Sequence, residues 1–235
     1  MNNSDDFPAN DDQSTPISML DNAQNAQQLL EQKQSELKQL AKEEAPLQWA
    51  KTMLDMADAL LALEQKAEAW QAARDSFDIF LQQEAWQEAV EACNVMYQTE
   101  QSESISALGQ GIWLAVTYPI EADTTVTMLH NVVDDTPKDA DGAAVAAATA
   151  HYIAHLRTTG QKQESLGFLT THVLGEVAKR HSGVDNQEAF NMWLARLQLD
   201  KPEELLPRMA KIIDVMVGEN WWFDRDELRA KLPVN

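Results

Sequence analysis

A chain of 235 residues, 44% hydrophobic, is long enough to bury a substantial core, and its net charge of −20 has the wrong sign for nucleic acid or an anionic membrane. Its single cysteine, Cys93, excludes an internal disulfide and any multi-cysteine metal centre. Only eight glycines and eight prolines interrupt a sequence rich in Ala, Leu, Gln, Glu, Lys and Met, so the expected fold class is all-α, with helices joined by short loops.

Residues 1–16 hold four Asp among Asn, Ser and Pro, with no Lys or Arg, and read as a disordered acidic tail. They show neither the basic nor the apolar region of a signal peptide, and the longest apolar run, Gly111 to Ile120, is broken by Thr117 and Pro119; a cytoplasmic protein is expected. Residues 17–45 form an amphipathic helix whose thin apolar face is Leu29, Leu30, Leu37 and Leu40. Residues 46–235 read as a single helical-repeat domain. It opens at Pro46, a good first-turn residue. Leu47, Ala50, Leu54, Ala57 and Leu61 form one stripe, and Trp49, Met53, Met56, Leu60 and Leu63 a second, leaving Gln48, Lys51, Thr52, Asp55 and Asp58 as the polar face. A helix with two apolar stripes must be covered on two sides, so it belongs to a layered array.

The theme continues with a helix over Lys66–Gln82, another marked by Trp86, Ala89, Cys93 and Met96, and a fourth from Ile105 that Pro119 ends. Short Val126–Val133, Ala-rich Gly142–Arg157, Leu166–His181, Gln187–Leu199 and Glu203–Val217 follow, and Asp224 with Glu227 predicts a capping box for a last short helix. That makes roughly nine to eleven helices, each antiparallel to the next because the loops are short.

The words Glu68-Ala69-Trp70-Gln71 and Glu84-Ala85-Trp86-Gln87 recur at helix-plus-turn spacing. Together with Ala57 and Leu60, Ala69, Ser76 and Phe77, and Ala89, Ala92 and Met96, they make Pro46–Tyr97 resemble tetratricopeptide (TPR) repeats. The departures are Leu60 at an aromatic position, Glu64 at the turn glycine, no closing proline and no 34-residue period. The resemblance implies antiparallel helical hairpins stacked as a TPR-like α-solenoid, a groove that holds a protein partner, no cofactor and no catalysis. Separately, Glu219-Asn220-Trp221-Trp222-Phe223-Asp224-Arg225-Asp226 is similar to small proteins encoded beside heterodisulfide-reductase-like sulfur-oxidation complexes, which implies an accessory or assembly subunit of a redox enzyme.

Charge is segregated: no Lys or Arg lies between Arg74 and Lys138, where eleven carboxylates fall. Glu84, Glu88, Glu91, Glu100 and Glu103 are therefore the candidates to attract a protein with a basic patch. Trp221, Trp222 and Phe223 cannot all face one side of a short element, so they either clamp the C-terminus to the body or form an anchor for a partner or a homodimer. His151 and His155, four apart on one helix, could face a ligand or a metal, but a third metal ligand is missing from their neighbourhood. That leaves a helical ligand-binding protein or enzyme as an alternative from another class. No G-x-S-x-G elbow or Cys/His motif accompanies His130, His172 or His181, and Asp134 and Asp135 point to different sides of a helix end. Gly109-Gln110-Gly111 lacks the remainder of a phosphate loop and reads as a packing site.

Overall fold

The computed structural model describes residues 16–232, with side chains from Asn22 onward; apart from Pro16, the expected acidic tail lies outside the described residues. Among the described residues there are eleven helices and no strand: α1 (Pro16–Leu37), α2 (Pro46–Ala62), α3 (Lys66–Gln82), α4 (Trp86–Gln98), α5 (Ser104–Thr117), α6 (Ala122–Asp135), α7 (Asp141–Arg157), α8 (Gly160–Ser182), α9 (Gln187–Arg196), α10 (Pro202–Val217) and α11 (Arg225–Ala230). Each helix from α1 to α8 packs on its successor, so the chain is a stack of antiparallel hairpins, a helical-repeat solenoid. Several boundaries differ from the sequence expectation: α1 ends at Leu37, so Leu40 and the segment to residue 45 lie outside it, and α9 ends at Arg196, three residues before Leu199. Helix α6 begins at Ala122, before its apolar stripe, and Gly160 opens α8 with φ +61° as well as marking the end of α7. At α11 only half of the expected capping box forms: Asp224 accepts from the backbone N–H groups of Asp226 and Glu227, while the Glu227 carboxylate pairs with Lys231.

The alternate helices make two layers. Direct contacts run α2–α4–α6–α8 along one, whereas the α5 and α7 helices of the other are bridged by α10. The first layer is stitched by side-chain pairs at a constant offset: Lys51–Glu88, Gln87–Thr124 and Asn94–Asn131 are each 37 residues apart. The repeat thus exists in space with a longer and less regular period than the TPR pattern, since α2, α4, α6 and α8 begin at Pro46, Trp86, Ala122 and Gly160.

Turns between the first hairpins show why glycine is scarce. Glu64, Glu84 and Glu100 take up the left-handed conformation (φ 58°, 53° and 56°) that usually favours glycine. The backbone N–H groups of Gln65 and Ala85 then reach back to the carbonyls of Leu60 and Phe80, closing each helix end. Backbone satisfaction at these turns outweighs a steric cost of about 1–2 kcal/mol per residue.

The centre of the molecule is α5 and the Ala-rich α7, whose small side chains let several helices approach. A Cβ on Gly111 would fall 2.6 Å from Cys93 Cβ and collide with the Met128 methyl, and one on Gly109 would fall 2.7 Å from Val217 Cγ2. The Gly109-Gln110-Gly111 motif is therefore a packing site serving α4, α6 and α10 together. Cys93 is fully buried beside it, and burial pushes its thiol pKa up, leaving it unreactive. Arg157, at the end of α7, donates to the carbonyls of Ala115, Val116 and Ile120, a cation placed on the exposed carbonyls where α5 ends. Removal from water holds its pKa below the ordinary arginine value.

Helix α1 lies along α2, with Ala26 and Leu30 buried and Lys33 paired to Asp55 at 2.7 Å. It covers the end of the stack, so the part of the expected 17–45 helix that forms, to Leu37, finds its apolar partner within the chain.

Candidate functional site

The expected polar face of α2 is divided: Gln48, Thr52 and Asp55 meet α1, with Thr52 buried, whereas Lys51 and Asp58 lie toward α4, and α2, α4 and α6 run side by side in one layer. Between these three helices runs a solvent-open groove of about 310 Å³, lined by Asp58 from α2, Glu91, Asn94 and Val95 from α4, and Asp123, Thr124 and Thr127 from α6. Three carboxylates from three successive layer helices thus converge on one surface depression. The basic residues at its margin are already engaged: Lys33 with Asp55, Lys51 with Glu88 at 2.6 Å, and Lys162 with Asp123. Among the described residues, neither Asp58 nor Glu91 has an ion-pair partner.

The electrostatic consequence appears at Asp58. The Asp58 side chain is exposed at the surface yet crowded by neighbouring protein, and loss of water, reinforced by the charges of Asp55 and Glu91, raises its pKa from 3.8 to about 6. Glu88 goes the opposite way. Although partial burial opposes ionisation, hydrogen bonding to Lys51 and to its own backbone N–H holds its pKa below the usual value. The groove therefore has an uncompensated acidic centre and a compensated edge.

The other sequence candidates are dispersed. Glu84 and Glu100 occupy the left-handed turns at the ends of α3 and α4, Glu100 pairing with Lys66, and Glu103 immediately precedes α5 without a side-chain capping hydrogen bond. Of the five glutamates, only Glu91 lines the groove, with Glu88 at its edge. Asp58 and Asp123 complete it, and they escape a reading based on position along the chain because the groove is assembled from residues one repeat apart.

Trp221, Trp222 and Phe223 face inward and are half buried. The Trp222 ring meets Trp70 and Phe77 edge-on at 6.3 and 5.3 Å, and Phe223 lies 5.3 Å from Trp113. Arg74 covers Trp222 at 4.4 Å and Arg225 covers Trp221 at 4.0 Å. Gln110, fully buried, accepts from the Trp222 backbone N–H through Oε1 and donates to the Asn220 carbonyl through Nε2. This segment spans α3 and α5 and closes that layer. These contacts hold the rings against the body while part of each stays at the surface. Trp49, Trp70 and Trp86, expected in the core, are only half buried, and Trp113 and Trp193 are the deeply buried tryptophans among the described residues.

Around the histidines the structure is specific. His181 Nε2 lies 3.2 Å from Asp141 and its Nδ1 2.7 Å from the Ser182 hydroxyl, the outline of a carboxylate–imidazole–hydroxyl chain. The Trp193 indole N–H points at the same Nδ1 from 3.2 Å, and Arg196 donates to Ser182. Indole only donates, so the Nδ1 lone pair is already contested and is not free to take the serine proton. This cluster ties α7, α8 and α9 together. His130 and Asp134 pair along α6, while Asp135 accepts from Tyr97, so the adjacent aspartates diverge as expected.

His151 and His155 sit side by side, ring centroids 4.3 Å apart, on the wall of a second, apolar cavity bounded by α7, α8, α9 and α10. Among the described residues no group of three His, Cys, Asp or Glu is placed to hold a metal ion, and no helix is long and apolar enough to cross a membrane. No family model, curated protein or solved structure matches the chain.

Proposed function

We propose that this chain is a non-catalytic docking module, cytoplasmic in location, whose α2/α4/α6 groove receives a lysine- or arginine-rich segment of a partner protein. The observation that carries this reading is the convergence of Asp58, Glu91 and Asp123 on one groove, where loss of water and then the charges of Asp55 and Glu91 raise the Asp58 pKa to about 6. Such repulsion lowers the stability of the free protein and is relieved by an arriving cation, an arrangement that favours binding over folding. The overall charge of −20 supplies long-range steering toward the same class of partner. Docking through Trp221–Phe223, as in the accessory-subunit alternative, has less support, because Trp70, Phe77, Trp113 and the arginines already pack against those rings.

The test uses a fluorescent peptide of alternating Lys and Ser, followed by anisotropy at two salt concentrations. Because any chain this acidic attracts such a peptide weakly, the comparison is between variants that remove the same charge. Asp58→Asn with Glu91→Gln is expected to weaken binding by about tenfold, and Glu203→Gln with Glu204→Gln, on exposed α10, by less than about twofold. Equal losses in the two variants would mean that the groove is not the site.

A further inference from the structure

The cavity beside His151 and His155 differs in character from the groove. It holds about 370 Å³, within the range of small-molecule sites, and its wall is mostly apolar, with Leu174, Phe190, Leu194, Leu199 and Leu205 converging on it. Four helices contribute, and three of these leucines are themselves buried, so the wall is part of the core and is shaped by it.

The hydrogen bonds around the two imidazoles determine their tautomers. His155 Nδ1 lies 3.0 Å from the His151 carbonyl, and a carbonyl only accepts, so Nδ1 of His155 carries the proton. His151 Nδ1 lies 3.0 Å from the Thr170 hydroxyl. That hydroxyl spends its single hydrogen on the carbonyl of Leu166 at 2.8 Å, so it accepts from His151, whose Nδ1 is also protonated. In its neutral form each ring therefore keeps a free lone pair on Nε2, and no group among the described residues donates to either. Burial and the neighbouring His155 lower the His151 pKa, in keeping with a neutral ring.

We propose that this cavity binds a neutral, largely apolar small molecule bearing a hydroxyl donor, a phenol or comparable alcohol, with the hydroxyl on an Nε2 of the histidine pair. The chemistry excludes the alternatives one by one. A carboxylate would face two acceptor lone pairs and the Asp200 carboxylate at the rim, within a chain of charge −20. An ammonium would lose its water against a leucine-rich wall. A divalent metal would find two ligands and no third.

The experiment is titration of the full-length chain with 4-phenylphenol and with its methyl ether, 4-methoxybiphenyl, which keeps the apolar body and removes the donor. Saturable shifts of the Leu194 and Leu205 methyl resonances are expected for the phenol, with the ether about tenfold weaker, the value of one hydrogen bond. His151→Phe should bring the two ligands toward equal affinity, and Leu194→Trp should block both. Long-range 15N–1H spectra of the unmutated protein should show Nδ1–H tautomers for both histidines, a readout independent of whether the variants fold. Equal binding of phenol and ether, no saturable binding of either, or an Nε2–H tautomer on either histidine would overturn the assignment.

Discussion

Replacing Asp58 by asparagine separates the cost of the groove from its use. In the folded chain the Asp58 carboxyl titrates at about 6 against an ordinary 3.8. A raised carboxyl pKa means that the native state holds its proton to higher pH, so the site costs almost nothing below about pH 4, its cost builds up between 4 and 6, and it stays constant above that. Between these values the full effect would be about 3 kcal/mol. Because the Asp58 side chain is exposed at the surface, screening reduces this to about 1 kcal/mol. Asp58→Asn should therefore raise the unfolding free energy by about 1 kcal/mol at pH 7.5 and by nearly nothing at pH 4. Urea denaturation of both proteins at half-unit pH intervals measures the difference directly, with circular dichroism as the probe. A stability difference that does not change with pH, or a loss of stability at pH 7.5, would refute the electrostatic reasoning, because desolvation and like-charge repulsion act only on the ionised form.

Three further changes probe the scaffold. Gly111→Ala must displace Cys93 or Met128 at the tightest helix approach and should cost about 1–3 kcal/mol in chemical denaturation, whereas Gly175→Ala, with open space at its Cβ, should not destabilise. Trp222→Ala removes the ring between Trp70, Phe77 and Arg74 and should cost about 3 kcal/mol while leaving groove affinity for the basic peptide unchanged; a parallel loss of affinity would support the aromatic anchor. Glu84→Gly relieves a left-handed backbone at φ 53° and should raise the thermal midpoint, with a net gain of roughly 0.5–1 kcal/mol once glycine's greater unfolded-state freedom is subtracted.

Much of this protein follows from local chemistry. Helix formers, apolar residues at helical spacing and sparse prolines specify α2, α3 and α4 nearly to their ends, because a helix satisfies its own backbone and needs only one consistent face. The two-striped face of α2 likewise announces a layered stack, and the small residues of Gly109-Gln110-Gly111 announce close packing. Even the histidine pair is legible as a spacing of four on one helix.

What tertiary structure decided is which of these faces meet. Acidic residues clustered along the chain only partly cluster in space: Glu84, Glu100 and Glu103 fall at helix ends, while Glu91 and Asp123 are joined by Asp58, from outside that stretch, because successive layer helices place them side by side. The Trp221–Phe223 segment turned inward because α10 returns the chain across α5 and α7, delivering the rings to α3 and α5, and Gln110 holds that backbone from 112 residues away. The tautomer of His151 likewise depends on a threonine of the next helix, whereas that of His155 is set by the His151 carbonyl on the same helix. Sequence sets what each helix can bury, since that depends on neighbours three and four residues apart; which groups share a site depends on contacts across repeats, and those exist only once the stack has formed.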